Sequence, residues 1–317
     1  MQLRRLPVGR NKKGNPVHGW LNLDKPLGMT STQAIGRVRR ILNAQKLGHA
    51  GTLDPLATGI LPIALGEATK TIPFAQDADK VYRFSVKWGE ARTTDDCEGD
   101  VTLTSADRPT EAQIIALLPR FTGQILQTPP QFSAIKIDGE RAYDLAREGQ
   151  KVDIQPRNVM VYGFRALKIA QNEAEFELNC GKGTYVRSIA RDMGQILGCF
   201  GHVSALRRTA VGNFTEDASI SLDDFEKMMQ SAVPDQVLMP VETVLDDIPA
   251  LAMTASEVSR IRQGQTLKFI SRQDVDRFSV AGIDEMTELV LAVGDNKPLA
   301  LLEKHGIELH PVKVFNL

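Results

Sequence analysis

The sequence predicts a soluble protein that mixes β-strands with α-helices, and three observations carry that expectation. Residues 81–88 (VYRFSVKW) alternate, with Tyr82, Phe84, Val86 and Trp88 on one side and Arg83, Ser85 and Lys87 on the other, the period of a half-buried strand. Residues 158–168 and 174–180 alternate in a similar way. Residues 185–197 (YVRSIARDMGQIL) place Val186, Ile189, Ala190, Met193, Ile196 and Leu197 on one helical stripe, with Gly198 positioned to end the helix. At 317 residues, 42% hydrophobic and 24% charged, the chain has room for about two domains and an ordinary core.

The remaining elements follow in chain order. The first 16 residues carry Arg4, Arg5, Arg10, Lys12 and Lys13 and no acid, and read as a flexible basic arm. Residues 17–24 suit a short strand. Residues 31–43 suit a helix that buries Ile35, Val38, Ile41 and Leu42, with Thr30 or Ser31 as its cap. Arg37, Arg39, Arg40 and Lys46 then face solvent, either as a plain polar face or as a phosphate contact. Residues 60–65 (ILPIAL) form an apolar run that suits a buried strand, and Pro62 suggests an edge or bend. A short helix follows from Glu67. Residues 129–157 hold Pro129, Pro130 and the basic set Lys136, Arg141, Arg147, Lys151 and Arg157, with few large apolar residues. They read as an insertion projecting from the core, with a helix over 140–148, and excursions of this length are usually functional or mobile. A second boundary near 248–252 precedes a small module with a helix over 255–263 and strands at ELVLAV and ALLEK.

Several chemistries can be set aside. Cys97, Cys180 and Cys199 are an odd, low count without CxxC spacing, which argues against a disulfide framework and a zinc site and fits a reducing cytoplasm. No run approaches the roughly 18 apolar residues of a membrane span, and the N-terminus lacks the apolar core of a secretory signal. GKGT at 181–184 lacks the upstream glycine of a Walker loop, no GxGxxG opens a helix, and no HExxH occurs. The acidic run Asp95, Asp96, Glu98, Asp100 lacks the later glutamate of a calcium loop and reads as a solvated turn. No cofactor, redox agent or ATP is expected. A net charge of −1 means that any nucleic-acid contact must come from local basic surfaces.

The most informative stretch is residues 48–59, GHAGTLDPLATG. Asp54 precedes Pro55, which pushes it out of the helical region, while Gly51 and Gly59 allow unusual backbone angles on either side. The carboxylate is thus presented from a stiff non-helical segment, as a nucleophile or base requires; an ordinary Asp-Pro turn is the plainer alternative. Arg187, in the first turn of the best helix, opposes the helix dipole at a cost of up to about 1 kcal/mol. A carboxylate or phosphate partner would offset that cost, which suggests an Asp54–Arg187 pair that keeps the acid ionised.

The segments GWLNLDKPLGMTS, GHAGTLDPLATGILPIALGEATK, KVYRFSVKWG, GKGTYVRSIARDMG and HVSALRRTAVG occur in this order between about residues 17 and 215. Together they closely resemble the TruB-type tRNA pseudouridine-55 synthases. The C-terminal portion, ending in LHPVKVF, resembles a divergent PUA-type RNA-binding module. The resemblance implies an α+β fold: a mixed, mostly antiparallel sheet with flanking helices, a thumb at 129–157, a catalytic domain over 17–248 and a small β-rich PUA-like domain over 249–317. It implies cofactor-free isomerisation of one uridine in the T loop of tRNA, with the target base flipped out of its stack, by a cytoplasmic, monomeric protein.

By the same resemblance Asp54 is the catalytic carboxylate, acting by addition to uracil, attack on the sugar carbon or removal of a ribose proton. Tyr82, also catalytic, stacks on the base and assists proton removal from C5, and Arg187, the third catalytic residue, pairs with the aspartate. Tyr185 and Leu206 form pocket walls, His49 helps to hold the opened RNA loop, and Lys25 lies near the site. Two other readings compete: a non-catalytic tRNA binder or folding chaperone, which needs no Asp54, and a nucleoside hydrolase, which would release free uracil.

Overall fold

The computed structural model describes residues 14–133, 136–137, 140–141, 153–231 and 233–317. Within them the chain runs β1 (Gly19–Lys25), α1 (Ser31–Leu42), β2 (Leu47–His49), β3 (Ala57–Leu65), α2 (Ile72–Asp77), β4 (Lys80–Trp88), β5 (Glu90–Arg92) and β6 (Val101–Thr104). It continues through α3 (Glu111–Leu117), β7 (Gly123–Gln127), β8 (Lys136–Ile137), β9 (Glu140–Arg141), β10 (Arg157–Ile169), β11 (Glu173–Cys180), α4 (Val186–Ile196) and β12 (Gly201–Val211). Then come β13 (Phe214–Thr215), β14 (Ile220–Ser221), α5 (Leu222–Met228), β15 (Ala250–Ala252), α6 (Ala255–Arg262), β16 (Leu267–Lys268), α7 (Arg272–Val280), β17 (Leu289–Gly294), β18 (Lys297–His305) and β19 (Glu308–Val314).

The large sheet has the order β14-β1-β3-β12-β4-β11-β10-β7, with β2 added to β3 and β13 to β12. Within this sheet, among the described residues, only the β1–β14 and β3–β12 strand pairings are parallel. This is the mixed, mostly antiparallel α+β architecture expected. A second sheet of order β15-β17-β18-β19-β16 follows as a small β-rich C-terminal unit.

Alternation along the strands divides the core. On β1, Leu21 and Leu23 face a cluster with Val38 of α1, Phe84, Phe176, and Ile189 and Met193 of α4. Trp20 faces the other side, where it packs with Ile60, Val211, Phe214 and Val241. That second cluster extends to Leu291, Leu301 and Phe315, so the C-terminal sheet covers this face. β3 is therefore buried on both faces, which is why it reads as an unbroken apolar run. Pro62 does not mark an edge: β3 is an interior strand, and Pro62 lies where its neighbour changes from β12 to β2. There its carbonyl accepts from Ala50 N at 3.0 Å, so the missing proline N–H falls at a handover between ladders rather than within one.

Local chemistry explains the helices. Thr30 caps α1 in a reciprocal box with Gln33, and Ala34, Val38 and Leu42 turn inward. Ser31, the other cap considered, instead buries its hydroxyl and bonds Leu53 twice, donating to its carbonyl at 3.0 Å and accepting from its N–H at 2.9 Å. α4 has no side-chain cap of its own; Gln127 at the end of β7 accepts from Tyr185 N at 2.8 Å and donates to Tyr185 O at 3.1 Å. The basic arm falls outside the described residues except for Gly14–Pro16. Of the helix expected over 140–148, Glu140 and Arg141 form β9 and the rest lies outside the described residues.

Phe176 is fully buried, with ring centroids 5.5 Å from Phe84 and 5.4 Å from Phe164. Phe176→Ala should lower unfolding free energy by about 3–5 kcal/mol, read from urea denaturation; a loss below about 1 kcal/mol would mean that this cluster does not organise the sheet.

Candidate active site

The glycine-rich stretch is irregular only over residues 50–56, because its ends are absorbed into β2 and β3. Three fixed points hold it. Ser31 binds Leu53, Gly28 N donates to Pro55 O at 2.9 Å, and Ala57 N donates to Asp54 O at 3.1 Å. Gly51 (φ +105°) and Gly59 (φ +98°) flank Arg208, which is 1% exposed. A Cβ on Gly59 would meet Arg208 O at 2.1 Å, and one on Gly51 would meet its Nη1 at 3.3 Å. Arg208 occupies that space and donates from Nε to Ile60 O at 2.7 Å and from Nη2 to Gly51 O at 3.1 Å. The glycines thus serve an arginine that braces both ends of the loop.

Asp54 meets Arg187 as the residue types suggested: Nη2 lies 2.9 Å from Oδ2. The guanidinium side chain is 6% exposed, and the carboxylate, at 38%, opens onto a cavity. Arg187 also donates to Thr94 O at 3.0 Å and Phe132 O at 2.9 Å, and lies 3.6 Å from Asp96 Oδ2. Burial pushes the Asp54 carboxyl above the ordinary carboxylate range. Arg187 is the strongest opposing influence, Asp96 adds to the upward push and Lys25 opposes it. The expected pair exists, but it limits the upward shift rather than reversing it.

The cavity has a volume of about 580 Å³ and is lined by Asp54, Tyr82, Tyr185, Arg187 and Leu206, together with Lys80, Arg157, Lys182 and Arg208. Its size falls within the roughly 300–1,000 Å³ of small-ligand clefts. Burial raises the Tyr82 phenol pKa, and the Arg208 charge acts against that shift. Arg157 Cζ lies 5.2 Å from the Tyr185 ring centroid, a cation over an aromatic face.

Two expected site residues do not line the cavity. Lys25 is fully buried and donates to Pro26 O at 2.8 Å and Met29 O at 2.6 Å, which braces the turn beneath the Asp54 loop. His49 sits in β2, where burial lowers its pKa. The acidic run is also corrected. Asp96 is 2% exposed and Asp95 pairs with Arg191 at 3.0 Å, so half of the supposed solvated turn packs against α4. Arg37 does not stand free for phosphate: it pairs with Asp223 and Glu226 at α5, while Arg39, Arg40 and Lys46 are exposed. Sequence reasoning missed Arg208 and Lys80, two buried cations that line the cavity; the LRR and DKVY segments that carry them show no periodic anomaly to mark a buried cation.

Among the described residues no group of three or more His, Cys, Asp or Glu side chains converges as a metal cage would, and no helix is long and apolar enough to cross a membrane.

The fold and cleft together define a sheet protein that presents one fixed acid, backed by a buried arginine, to a hollow of nucleoside size. Residues 39–186 match the TruB family pseudouridylate synthase N-terminal domain, and residues 187–246 match the tRNA pseudouridylate synthase B C-terminal domain. A tRNA pseudouridine synthase B from Caulobacter sp. (strain K31) is 50% identical over 98% of this chain and all of the relative. Another from Bradyrhizobium diazoefficiens is 52% identical over 98% of this chain and 91% of the relative. A chain of the crystal structure of a Cbf5-Nop10-Gar1 complex superposes with a TM-score of 0.68 at 26% identity, over 97% of this chain and 92% of that one. The chain belongs to the TruB family of pseudouridylate synthases.

Burial lowers the Lys25 pKa to about 8. The unfolded state, with its ordinary lysine near 10.5, then binds more protons between these values, so stability attributable to this group rises with pH from about 8 towards 10.5. Lys25→Met should flatten that rise relative to the parent chain in urea melts at stepped pH. An unchanged slope would mean that Lys25 is solvated in the folded state.

Proposed function

We propose that this chain isomerises uridine to pseudouridine in tRNA, at position 55 of the T loop, with the target base flipped into the cavity beside Asp54. The observation that carries the reading is the Asp54–Arg187 pair at the mouth of a cleft walled by Tyr82, Tyr185 and Leu206. Membership of the TruB family supports the reaction class, and the names of relatives about half identical over nearly the whole chain support tRNA as the substrate.

The chemistry makes a defined demand. The glycosidic N1–C bond breaks, uracil turns while held, C5 bonds to the ribose, the proton on C5 leaves to water, and the freed N1 takes up a proton, so that the product is an isomer of the substrate. Adding to uracil, attacking the sugar carbon and removing a ribose proton all require an ionised carboxylate within reach of the nucleoside, and Asp54 is placed to supply it. Arg187 keeps that carboxylate available against the desolvation that a closed site imposes. Tyr82 and Tyr185 offer aromatic surfaces for an unstacked base, the usual means of holding an exposed RNA base. Arg157 and the exposed Arg39, Arg40 and Lys46 supply positive charge for phosphates, which position RNA without reading its sequence. The described lining residues all come from one chain, and in this reading the protein acts as a monomer. The C-terminal β-rich unit, read as a PUA-like module over 249–317, adds a second RNA contact.

The test uses T-arm RNA carrying tritium at uridine C5. The parent chain should release tritium to water without strand loss. Asp54→Asn should lower the rate by about 10³-fold or more, as removal of a reacting group does, while RNA binding stays within a few-fold. Normal turnover by that variant would refute the assignment; release of labelled free base would identify a hydrolase, and tight binding without turnover a chaperone. Because the reacting form is the carboxylate and its pKa is raised, the rate should fall as pH drops through a value above the ordinary carboxylate range.

A further inference from the structure

We propose that Asp95 and Arg191 form a positioning pair for this reaction, locking the turn that cradles the Arg187 guanidinium to the same helix that carries it. The inference rests on the reading of Asp54 and Arg187 as the reacting pair.

Arg187 and Arg191 are four residues apart on α4, so they project from one face, a turn apart. Both reach the same short segment. Arg187 donates to Thr94 O at 3.0 Å and lies 3.6 Å from Asp96. Between these two contacts stands Asp95, whose carboxylate lies 3.0 Å from Arg191 Nη1. Its backbone is in the left-handed region, φ +59°, a conformation uncommon for a residue with a side chain, though aspartate tolerates it better than most. That conformation sends residues 94 and 96 towards Arg187 while residue 95 turns to Arg191. The turn is docked sideways on β12, because Val203 N donates to Asp95 O at 3.0 Å and Cys97 N to Val203 O at 3.0 Å. Those bonds fix it against the sheet; the carboxylate of Asp95 ties it to α4.

Arg191 does a second thing. Its Nη2 donates to Thr128 O at 2.9 Å, alongside Ser188 Oγ at 2.8 Å. Arg187 holds Phe132 O four residues further on. One helix face therefore clamps both segments whose carbonyls surround the Arg187 guanidinium. A shift in either would change the direction in which that guanidinium presents Asp54 to substrate, and small misplacements at a reacting centre are costly in rate.

The experiment is a double-mutant cycle in the tritium-release assay, with Arg191→Gln, Asp95→Asn and their combination. Asparagine suits the left-handed backbone at position 95. Each single variant should lose about tenfold in kcat with KM for T-arm RNA within a few-fold and a Tm still well above the assay temperature, and the double variant should lose no more than either single. Arg191→Lys, which keeps the charge opposite Asp95, should recover part of the loss. If Asp95→Asn does not fold, Arg191→Gln decides alone, since its side chain is 21% exposed and its loss leaves the core intact. Full kcat in these variants, losses that multiply in the double, or losses that only follow a fallen Tm would each overturn the proposal. Asp54→Asn run in the same series separates the two readings: if it is inactive while Arg191→Gln is fully active, only the positioning role fails, and if it is active the reaction assignment itself fails.

Discussion

A guanidinium taken out of water must be repaid with partners, and the architecture follows from where those partners come from. Arg187 is 6% exposed, and its contacts are drawn from the Asp54 loop, the 94–96 turn and the end of the 128–133 segment. These segments are distant in sequence and meet only when the large sheet has formed. An unpaired buried charge of this kind destabilises a fold by about 3–5 kcal/mol when one partner is removed. The site and the fold are therefore linked: the cation that organises the loops is the one that stands behind the reacting acid.

The same logic recurs one layer deeper. Arg208 fills the space left by Gly51 and Gly59 and fixes the loop to β3, while Lys25 fixes the turn beneath it through two carbonyls. Neither cation is balanced by a close carboxylate in these bonds; both are satisfied by backbone oxygens. The consequence is an electropositive floor under the half-exposed Asp54. Burial lowers the Lys25 and Lys80 pKa values to about 8, while burial and Asp96 raise that of Asp54. The acid is thus balanced between desolvation and its cationic neighbours, and a fixed environment of this kind is how proteins tune reactive carboxylates.

Much of this was legible in the residues. The strand periods at 81–88, 158–168 and 174–180 and the stripe of 185–197 found their elements to within two residues, because one buried face imposes a period on the sequence. The stiff loop around Asp54 and the misplaced charge of Arg187 pointed at each other for a physical reason: the loop presents a carboxylate, and the arginine, unfavourable where it stands, needs one. What stayed hidden were residues whose chemistry looks ordinary in one dimension. Asp95 and Asp96 read as a solvated turn because acidic runs usually are, and only their partners on α4 mark them as interior. Arg208 sits in an alternating strand beside Arg207, which pairs with Asp24 at 2.8 Å, and nothing in the pattern says which of the two turns inward. Pro62 suggested an edge because a proline lacks an N–H, yet the strand changes neighbours at that point and stays central.

The central claim is that the Arg187 charge holds the Asp54 carboxyl down against burial in the cleft. The most direct test is a carbon-13 NMR titration of aspartate side-chain carboxyls, with Asp54 assigned by its loss in Asp54→Asn, in the parent chain and in Arg187→Gln. The account predicts that Asp54 titrates above the ordinary carboxylate range in the parent chain and higher still in the variant, where burial and Asp96 act unopposed by the guanidinium. An Asp54 titration that stays in place or moves down when Arg187 is neutralised would contradict it.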